Sequence, residues 1–503
     1  MHRSNGSASD QSITGSDFLQ LDTAEAPPGG LAAWLAGRLR EAIGDGRLPV
    51  GSRLPATRVL AADLRVSRGV VTDAYQRLID DGHVAGRGRA GTIVVAAPLT
   101  APPPQPGSAP ERPDRPEPPE PPRTVFAERP GAEAFDVLRA APARIDLSPG
   151  VPDLAAFPRA AWLRAERRVL STLAAPSFGY GDPRGTPALR TAVAGWLARN
   201  RGIRADPADI VVVAGTAQAL GLLSQVLRAA GVGAVAVEDP GSLGTRQHLE
   251  HWGMRTPPVP VDGRGVRVDA LRRTGAPAVL LTPAHQFPTG TVLHGARRRE
   301  LMDWAGAGGL IIEDDYDAEH RYDRPPVPAL RAMLTDRVFY AGSVSKLLAP
   351  ALRTGWVLAP PRHRDALVDA KRFADLGNAA LPQLVLADLM ESGEMERQLR
   401  TLRRRHRARR DTMIAAIRAR LPGAVVHGAA AGLHLLVTFP ARAGLRDADL
   451  AAAALERGVK TQPLSWHAQR PGPPGLVLGY AATAPSAIDD GVTAIAAALR
   501  DLT

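Results

Sequence analysis

The chain has 503 residues, 45% of them apolar, and Lys plus Arg exceed Asp plus Glu by 62 to 51, a formal charge of +11. Such a length calls for more than one folding unit. The absence of cysteine excludes disulfide scaffolds, thiolate zinc sites and cysteine nucleophiles.

No apolar run reaches the length of a bilayer span, and the polar, Ser-rich start lacks the apolar stretch of a signal peptide, so a cytoplasmic protein with no membrane partner is expected. Only three lysines occur, Lys346, Lys371 and Lys460, all other basic charge being arginine. A lysine in a chemically suggestive place therefore carries information.

Residues 1–26 are turn-rich and acidic and read as a disordered tail. The block 27–97 follows. Leu31 to Ile43 has helical periodicity and stops at Gly44-Asp45-Gly46. A second helix is expected from Thr57 to Leu64 and a third from Ser67 to Asp81, with Ser67 as N-cap. The gap Arg65-Val66 is the tight turn of a helix-turn-helix. His83 to Ala85 and Gly91 to Val95 then bracket Gly86-Arg87-Gly88-Arg89-Ala90, a basic hairpin that serves as a wing. In this geometry the third helix enters the major groove, with Ser67, Arg68, Gly69 and Thr72 nearest bases and phosphates. Arg58 grips the backbone, and Arg87 and Arg89 reach the minor groove. The partner expected is a double-stranded DNA operator.

These residues resemble the winged helix-turn-helix domain of the GntR family of bacterial regulators. The match runs through Gly46-Arg47-Leu48-Pro49-Val50-Gly51, Leu54-Pro55-Ala56-Thr57-Arg58, Leu64-Arg65-Val66-Ser67-Arg68, Ala74-Tyr75, Gly88 and Gly91-Thr92. Ala56 departs from it: the family often has a serine there that caps the second helix.

The span 98–143 reads as a proline-rich linker, with 13 prolines between Pro98 and Pro130; such a composition buries too little apolar surface to order itself. From 144 to 503, short apolar runs alternate with helical segments. The runs are Asp209 to Val213, Ala234 to Val237, Ala278 to Leu281, Gly309 to Ile312 and Val338 to Tyr340. The pattern indicates an α/β domain with a mainly parallel sheet.

Three motifs sit at the ends of these runs, where open α/β sheets bind ligands. Gly215-Thr216-Ala217-Gln218 closes a strand and opens a helix whose amides suit a phosphate. Glu313-Asp314-Asp315-Tyr316 closes another; its acids suit a helix cap, a metal, or the single carboxylate that a pyridinium nitrogen needs, with Tyr316 a donor to a phenolic oxygen. Lys346, in Ser343-Val344-Ser345-Lys346, is placed for imine chemistry among hydroxyls that suit a phosphate.

Together these resemble the aminotransferase-like domain of fold-type I pyridoxal 5'-phosphate (PLP) enzymes, as fused to a GntR domain in the MocR subfamily. Further matches are Tyr180-Gly181-Asp182-Pro183-Arg184-Gly185 and Thr282-Pro283-Ala284-His285-Gln286-Phe287-Pro288-Thr289-Gly290. The resemblance implies that Lys346 carries PLP as a Schiff base (internal aldimine), Asp314 pairs with the ring nitrogen and Tyr316 with the 3-oxygen. It implies that Gly215, Thr216, Ala217, Ser343, Ser345 and Arg353 hold the phosphate, with Phe287 a further cofactor contact. It also implies a homodimer.

Two departures bear on activity. Ser242 stands where the subfamily commonly has a ring-stacking tyrosine, and Pro474 to Tyr480 lacks the arginine that clamps a substrate carboxylate; Arg470 is the nearest. The expected function is a PLP-dependent transcription regulator sensing PLP, an amine or an amino acid, the alternative being a working aminotransferase with an accessory DNA module. Arg397 to Arg410 holds eight arginines, which fit a solvated helix face, an auxiliary DNA contact or an intersubunit salt-bridge role.

Overall fold

Apolar residues at helical spacing from Leu31 onward produce the first helix, α1 (Leu31–Gly44), which buries Leu35, Leu39 and Ile43. The computed structural model describes residues 21–86, 91–96, 125–126, 130–322, 327–440 and 445–502, apart from residues 22, 28 and 29. The chain divides into two units, Met1–Pro116 and Glu117–Thr503.

In the first unit α1 is followed by α2 (Thr57–Asp63) and α3 (Arg68–Asp80). Ser67 caps α3, its Oγ accepting the Val70 amide at 3.4 Å, whereas Ala56 offers α2 no side-chain cap. Arg65 takes a left-handed conformation (φ 52°) and makes the turn between the two helices. The strands β1 (Val84–Gly86) and β2 (Thr92–Val94) pair antiparallel. Leu39, Leu60, Val71, Leu78 and Val94 share the core, and Tyr75 Oη donates to the Pro55 carbonyl at 2.8 Å. The wing tip with Arg87 and Arg89, like the tail to residue 20, lies outside the described residues.

The second unit, whose first strand is β3 (Ile145–Asp146), is built on an eight-stranded sheet. Its strands are β4 (Ile210–Val213), β5 (Val235–Asp239), β6 (Pro258–Asp262), β7 (Gly265–Val266), β8 (Ala278–Leu281), β9 (Leu310–Asp315), β10 (Val338–Ser343) and β11 (Gly355–Leu358). The spatial order is β4-β11-β10-β9-β8-β5-β6-β7. Only β11 and β7 run against the rest, so the sheet is mainly parallel. Its strands are buried on both faces because helices cover both, which is why they read as continuous apolar runs.

A second, antiparallel sheet was not evident from the alternation of apolar runs. It combines β12 (Val425–His427), β13 (His434–Thr438), β15 (Gln462–Pro463) and β16 (Gly475–Gly479), while β14 (Val459–Lys460) pairs parallel with β3.

The span read as linker behaves differently near its end. Ala134–Ala140 is a helix, and Phe126, Ala134 and Leu138 are buried in the core of the second unit. The Trp466 ring meets Phe126 at 5.4 Å and Phe135 at 6.0 Å. The prolines dominate the composition of 98–143, but the few apolar residues after Thr124 suffice to dock once an aromatic partner is supplied from far along the chain.

Candidate functional site

Lys346 follows β10 by three residues and is half-buried, its Nζ donating to the Gly150 carbonyl. Burial pulls its pKa below that of an ordinary lysine, with Asp317 and Asp314 opposing the shift. Beside it, β9 sorts its acids by strand alternation. Glu313 accepts the amides of Leu330 (2.9 Å) and Arg331 (3.0 Å), and Asp315 is paired with Arg201 (2.5 Å) and the Tyr340 hydroxyl (2.5 Å). Asp315 is thus committed to a buried ion pair, and the metal reading of Asp314 with Asp315 loses its second ligand.

Asp314 points the other way. It is 8% exposed, and its Oδ1 has no hydrogen-bond partner among the described residues. Burial first, then Asp315 and Asp317, push its pKa up to about 7. Tyr316 emerges on the same side; its Oη lies 3.1 Å from His285 Nδ1, which is 2.8 Å from Asp317 Oδ2. Burial and Asp317 raise the Tyr316 phenol well above its usual range. The Phe287 ring stands edge-on to Tyr316 at 6.3 Å. Lys346, Asp314, Tyr316, Phe287 and Thr216 all line one cavity of about 520 Å³.

The phosphate candidates form the neighbouring shelf. Gly215 (φ 81°, ψ −179°) precedes the helix Thr216–Ala229, whose first turn has no side-chain cap. A Cβ on Gly215 would come within 3.2 Å of Arg353 Nη1, and Arg353 itself donates to the Ala214 carbonyl. A Cβ on Gly355 would lie 3.3 Å from Gly215 Cα and 3.2 Å from Ser343 Cβ, so the ends of β4 and β10 meet across β11. Ser343 Oγ accepts the Ser345 amide at 3.4 Å. Uncapped amides, a guanidinium and small residues in close approach make an anion shelf. Of this set only Thr216 lines the cavity itself; Gly215, Ala217, Ser343, Ser345 and Arg353 lie outside its lining.

Sequence reasoning left Lys371 without a role. It is fully buried and donates to Gln218 Oε1 (2.9 Å) and Asp375 Oδ2 (2.7 Å), while Gln218 Oε1 also accepts the Ala214 amide at 2.8 Å. It braces the turn that carries Gly215 and lies outside the lining of the cavity that holds Lys346. His285, Asp317 and His434, whose ligand atoms lie within 4.8 Å of one another, were likewise missed; nothing in their spacing along the chain announces the cluster.

In the first unit, Arg58, Ser67, Arg68, Gly69 and Thr72 are all exposed, grouped at the N-terminal ends of α2 and α3. Arg68 Nε reaches Thr57 Oγ1 at 3.4 Å, and the Thr72 hydroxyl donates to the Arg68 carbonyl at 2.9 Å. Such a surface suits a duplex backbone and groove edge.

Residues 31–94 match the family model for bacterial regulatory proteins of the gntR family, and residues 143–494 match that for aminotransferase class I and II. Over 471 residues the chain is 32% identical to the probable rhizopine catabolism regulatory protein MocR of Rhizobium meliloti, covering 92% of this chain and 93% of that protein. The chain belongs to the MocR-type GntR-family transcription regulators. It is 30% identical over 411 residues to the HTH-type pyridoxine biosynthesis transcriptional regulator PdxR of Corynebacterium glutamicum, covering 82% of this chain and 83% of that one. The fold is similar to that of LysN, an α-aminoadipate aminotransferase of Thermus thermophilus complexed with N-(5'-phosphopyridoxyl)-L-leucine. The TM-score is 0.67 with 27% identity, covering 75% of this chain and 97% of the solved one. A fold-type I domain of this class implies PLP dependence.

Both sequence departures keep their meaning in this MocR-type chain. Ser242 caps the helix Leu243–His251, its Oγ accepting the Thr245 amide at 3.2 Å, so it offers no ring to stack. In β16, Val477 is buried against Leu436 and Leu464, with Phe287 packed on the group. Arg470 lies 3.9 Å from Asp239 and lines a separate groove. In the arginine-rich helix Glu394–Arg420 the arginines divide between roles. Arg405 and Arg409 both reach Asp153 at 2.9 Å, Arg403 donates to Glu319 O at 2.8 Å, and Arg410 lies 5.0 Å over the Tyr322 ring. Arg397, Arg400, Arg404 and Arg407 are exposed. A solvated face accounts for half of the run; the other half ties the helix to its own unit.

Proposed function

We propose that this regulator binds its operator as a homodimer through the first unit and reads an amine, an amino acid or PLP itself through the cavity of the second. The observation that carries the reading is the buried, unpartnered Asp314 Oδ1 in the same cavity as Lys346. A lone buried carboxylate costs free energy until a cation reaches it, and the pyridinium nitrogen of PLP is such a cation.

The residues present suit that group. Lys346 would bond it covalently, Asp314 would hold the ring nitrogen, Tyr316 the 3-oxygen, and Gly215, Thr216, Ala217, Ser343, Ser345 and Arg353 the phosphate. Bound there, PLP offers a carbon at which one primary amine can replace another. The chain's own part is to keep Lys346 partly desolvated, which favours the neutral, nucleophilic amine. Asp317 and His285 orient the Tyr316 hydroxyl from behind. A ligand changes DNA binding only if it favours one arrangement of the DNA-binding units over another.

The visible spectrum of the purified protein with PLP, compared with Lys346→Ala, tests the attachment; an unchanged spectrum in the variant sinks it. Operator binding measured with and without PLP and amines tests the sensing. Sustained turnover of an amine donor with a keto acid would instead favour an aminotransferase. The stretch Pro474 to Tyr480, which holds no arginine to clamp a carboxylate, argues against that outcome.

A further inference from the structure

Of the three lysines, Lys346 and Lys460 line the cavity, and Lys371 lies outside its lining. Lys371 stands near the end of the helix Arg364–Asp375 with its side chain fully buried. An ammonium has three donors, and here each finds its own acceptor. These are Gln218 Oε1 at 2.9 Å, Asp375 Oδ2 at 2.7 Å, and Asn378 Oδ1.

The two amide side chains carry the contact onward in different directions. Gln218 shares its oxygen between Lys371 and the Ala214 amide (2.8 Å), and its Nε2 donates to Asp375 Oδ2 at 2.7 Å. Asn378 keeps its oxygen on Lys371 and donates through Nδ2 to the Arg353 carbonyl at 3.2 Å. The Arg353 guanidinium in turn donates to the Ala214 carbonyl. The bonds close into a ring that runs from Ala214 through Gln218, Lys371, Asn378 and Arg353 back to Ala214. This ring ties together the two turns of the anion shelf. Each turn has a residue at positive φ, Gly215 at 81° and Arg353 at 46°. For Arg353, which is not a glycine, such a conformation persists only where the surroundings over-determine it. Lysine has a geometric reason to stand here in a chain that otherwise uses arginine. Three acceptors converge on one atom, which suits a tetrahedral ammonium and not the planar guanidinium fork.

We infer that Lys371 is a positioning residue for the anion shelf. Through the Gly215 and Arg353 turns it sets the preference of this site for a phosphorylated ligand over the same ligand without phosphate. The inference rests on the PLP reading of the site and adds a residue that stands behind the shelf. Donors already fixed in place bind an anion without the cost of ordering them first. Opening the ring frees Arg353 and the amides after Gly215, and a phosphate must then order them. The other end of the site is independent: among the described residues, neither Asp314 nor the Lys346 ammonium bonds to a member of the ring.

The test titrates PLP-free full-length protein with PLP and with 5'-deoxypyridoxal, which keeps the ring and the aldehyde and lacks the phosphate. Visible absorbance gives both affinities, and circular dichroism checks that each variant is folded. Lys371→Met should lower PLP affinity by on the order of tenfold to hundredfold, the range for hydrogen bonds to a charged group, and 5'-deoxypyridoxal affinity by less than about twofold. Asn378→Ala opens the ring at Arg353 alone and should move the same ratio in the same direction; it carries the test if Lys371→Met does not fold. In an Arg353→Ala background, Lys371→Met should cost PLP less than it does in the parent, because the two act through one network. Equal losses for both ligands mark a merely structural role and overturn the inference, as does full PLP affinity in either folded variant. Failure of the parent protein to form any PLP chromophore overturns the PLP reading and this inference with it.

Discussion

Replacing Asp314 with Asn should change the PLP-free and PLP-loaded protein in opposite directions. In the free protein the carboxyl is pushed up to about 7 from an ordinary 3.8, burial being the main cause. A raised carboxylate pKa means that the folded state binds the proton more tightly than the unfolded one. The resulting penalty is absent in acid, grows as pH rises past the ordinary value, and is complete above about pH 7. Three pH units at about 1.4 kcal/mol each set the penalty at about 4 kcal/mol. Asn is of nearly equal size and carries no charge, so it removes the penalty. At roughly 0.8 kcal/mol per degree for a unit of this size, Asp314→Asn should raise the melting temperature of PLP-free protein by about 5 °C at pH 8. The gain should shrink steadily toward pH 5. With PLP present the sign reverses: the variant leaves the ring nitrogen facing a neutral amide, and affinity should fall by at least about a hundredfold. Thermal unfolding monitored by near-ultraviolet circular dichroism at several pH values, with and without PLP, measures both effects. A variant no more stable than its parent at pH 8, or a gain independent of pH, refutes the argument from burial.

Other outcomes follow from single contacts. Gly215→Ala places a Cβ against Arg353 at a φ of 81°, which should cost about 1–3 kcal/mol and weaken PLP binding, read by equilibrium dialysis. Arg68→Ala on the exposed end of α3 should lower operator affinity about tenfold and reduce the salt dependence by about one ion, with unfolding unchanged. Leu138→Ala, in the span whose composition reads as linker, should destabilise the second unit by about 2–4 kcal/mol, because Leu138 is buried in its core; an unchanged melting temperature would return that segment to the tether. Tyr75→Phe removes the bond to the Pro55 carbonyl and should cost the first unit about 1 kcal/mol while leaving PLP absorbance alone.

Features whose physics is local were legible in the chain. The tight turn at Arg65-Val66, the Ser67 cap, the glycine that opens the helix after β4 and the lysine just beyond β10 each depend on residues within one turn of each other. Short-range sterics and hydrogen bonding settle them before any distant contact forms. The same holds for the apolar runs, since strands covered on both faces must be apolar at consecutive positions. The antiparallel sheet of β12, β13, β15 and β16 was not legible, because β12 and β15 are only three and two residues long and β13 finds its partner β16 only in the folded chain.

The scarcity of lysine pointed to Lys346 but said nothing of Lys371 and Lys460, since a buttress and a cavity wall look alike in one dimension. Composition marked 98–143 as a tether, yet Trp466 draws its end into the second unit's core. The arginines of Glu394–Arg420 are identical as letters; only the arrival of groups such as Asp153 and the Glu319 carbonyl divides those held against the unit from those on the exposed face. The sequence by itself determined the winged-helix elements of the first unit, the apolar strands of the main sheet and the motif residues at their ends. Tertiary structure alone decided that Glu313 and Asp315 turn inward to amides and Arg201 while Asp314 faces the cavity, and that Lys460 joins Lys346 there. Burial and charge pairing depend on which distant segments meet, and that is a property of the folded chain.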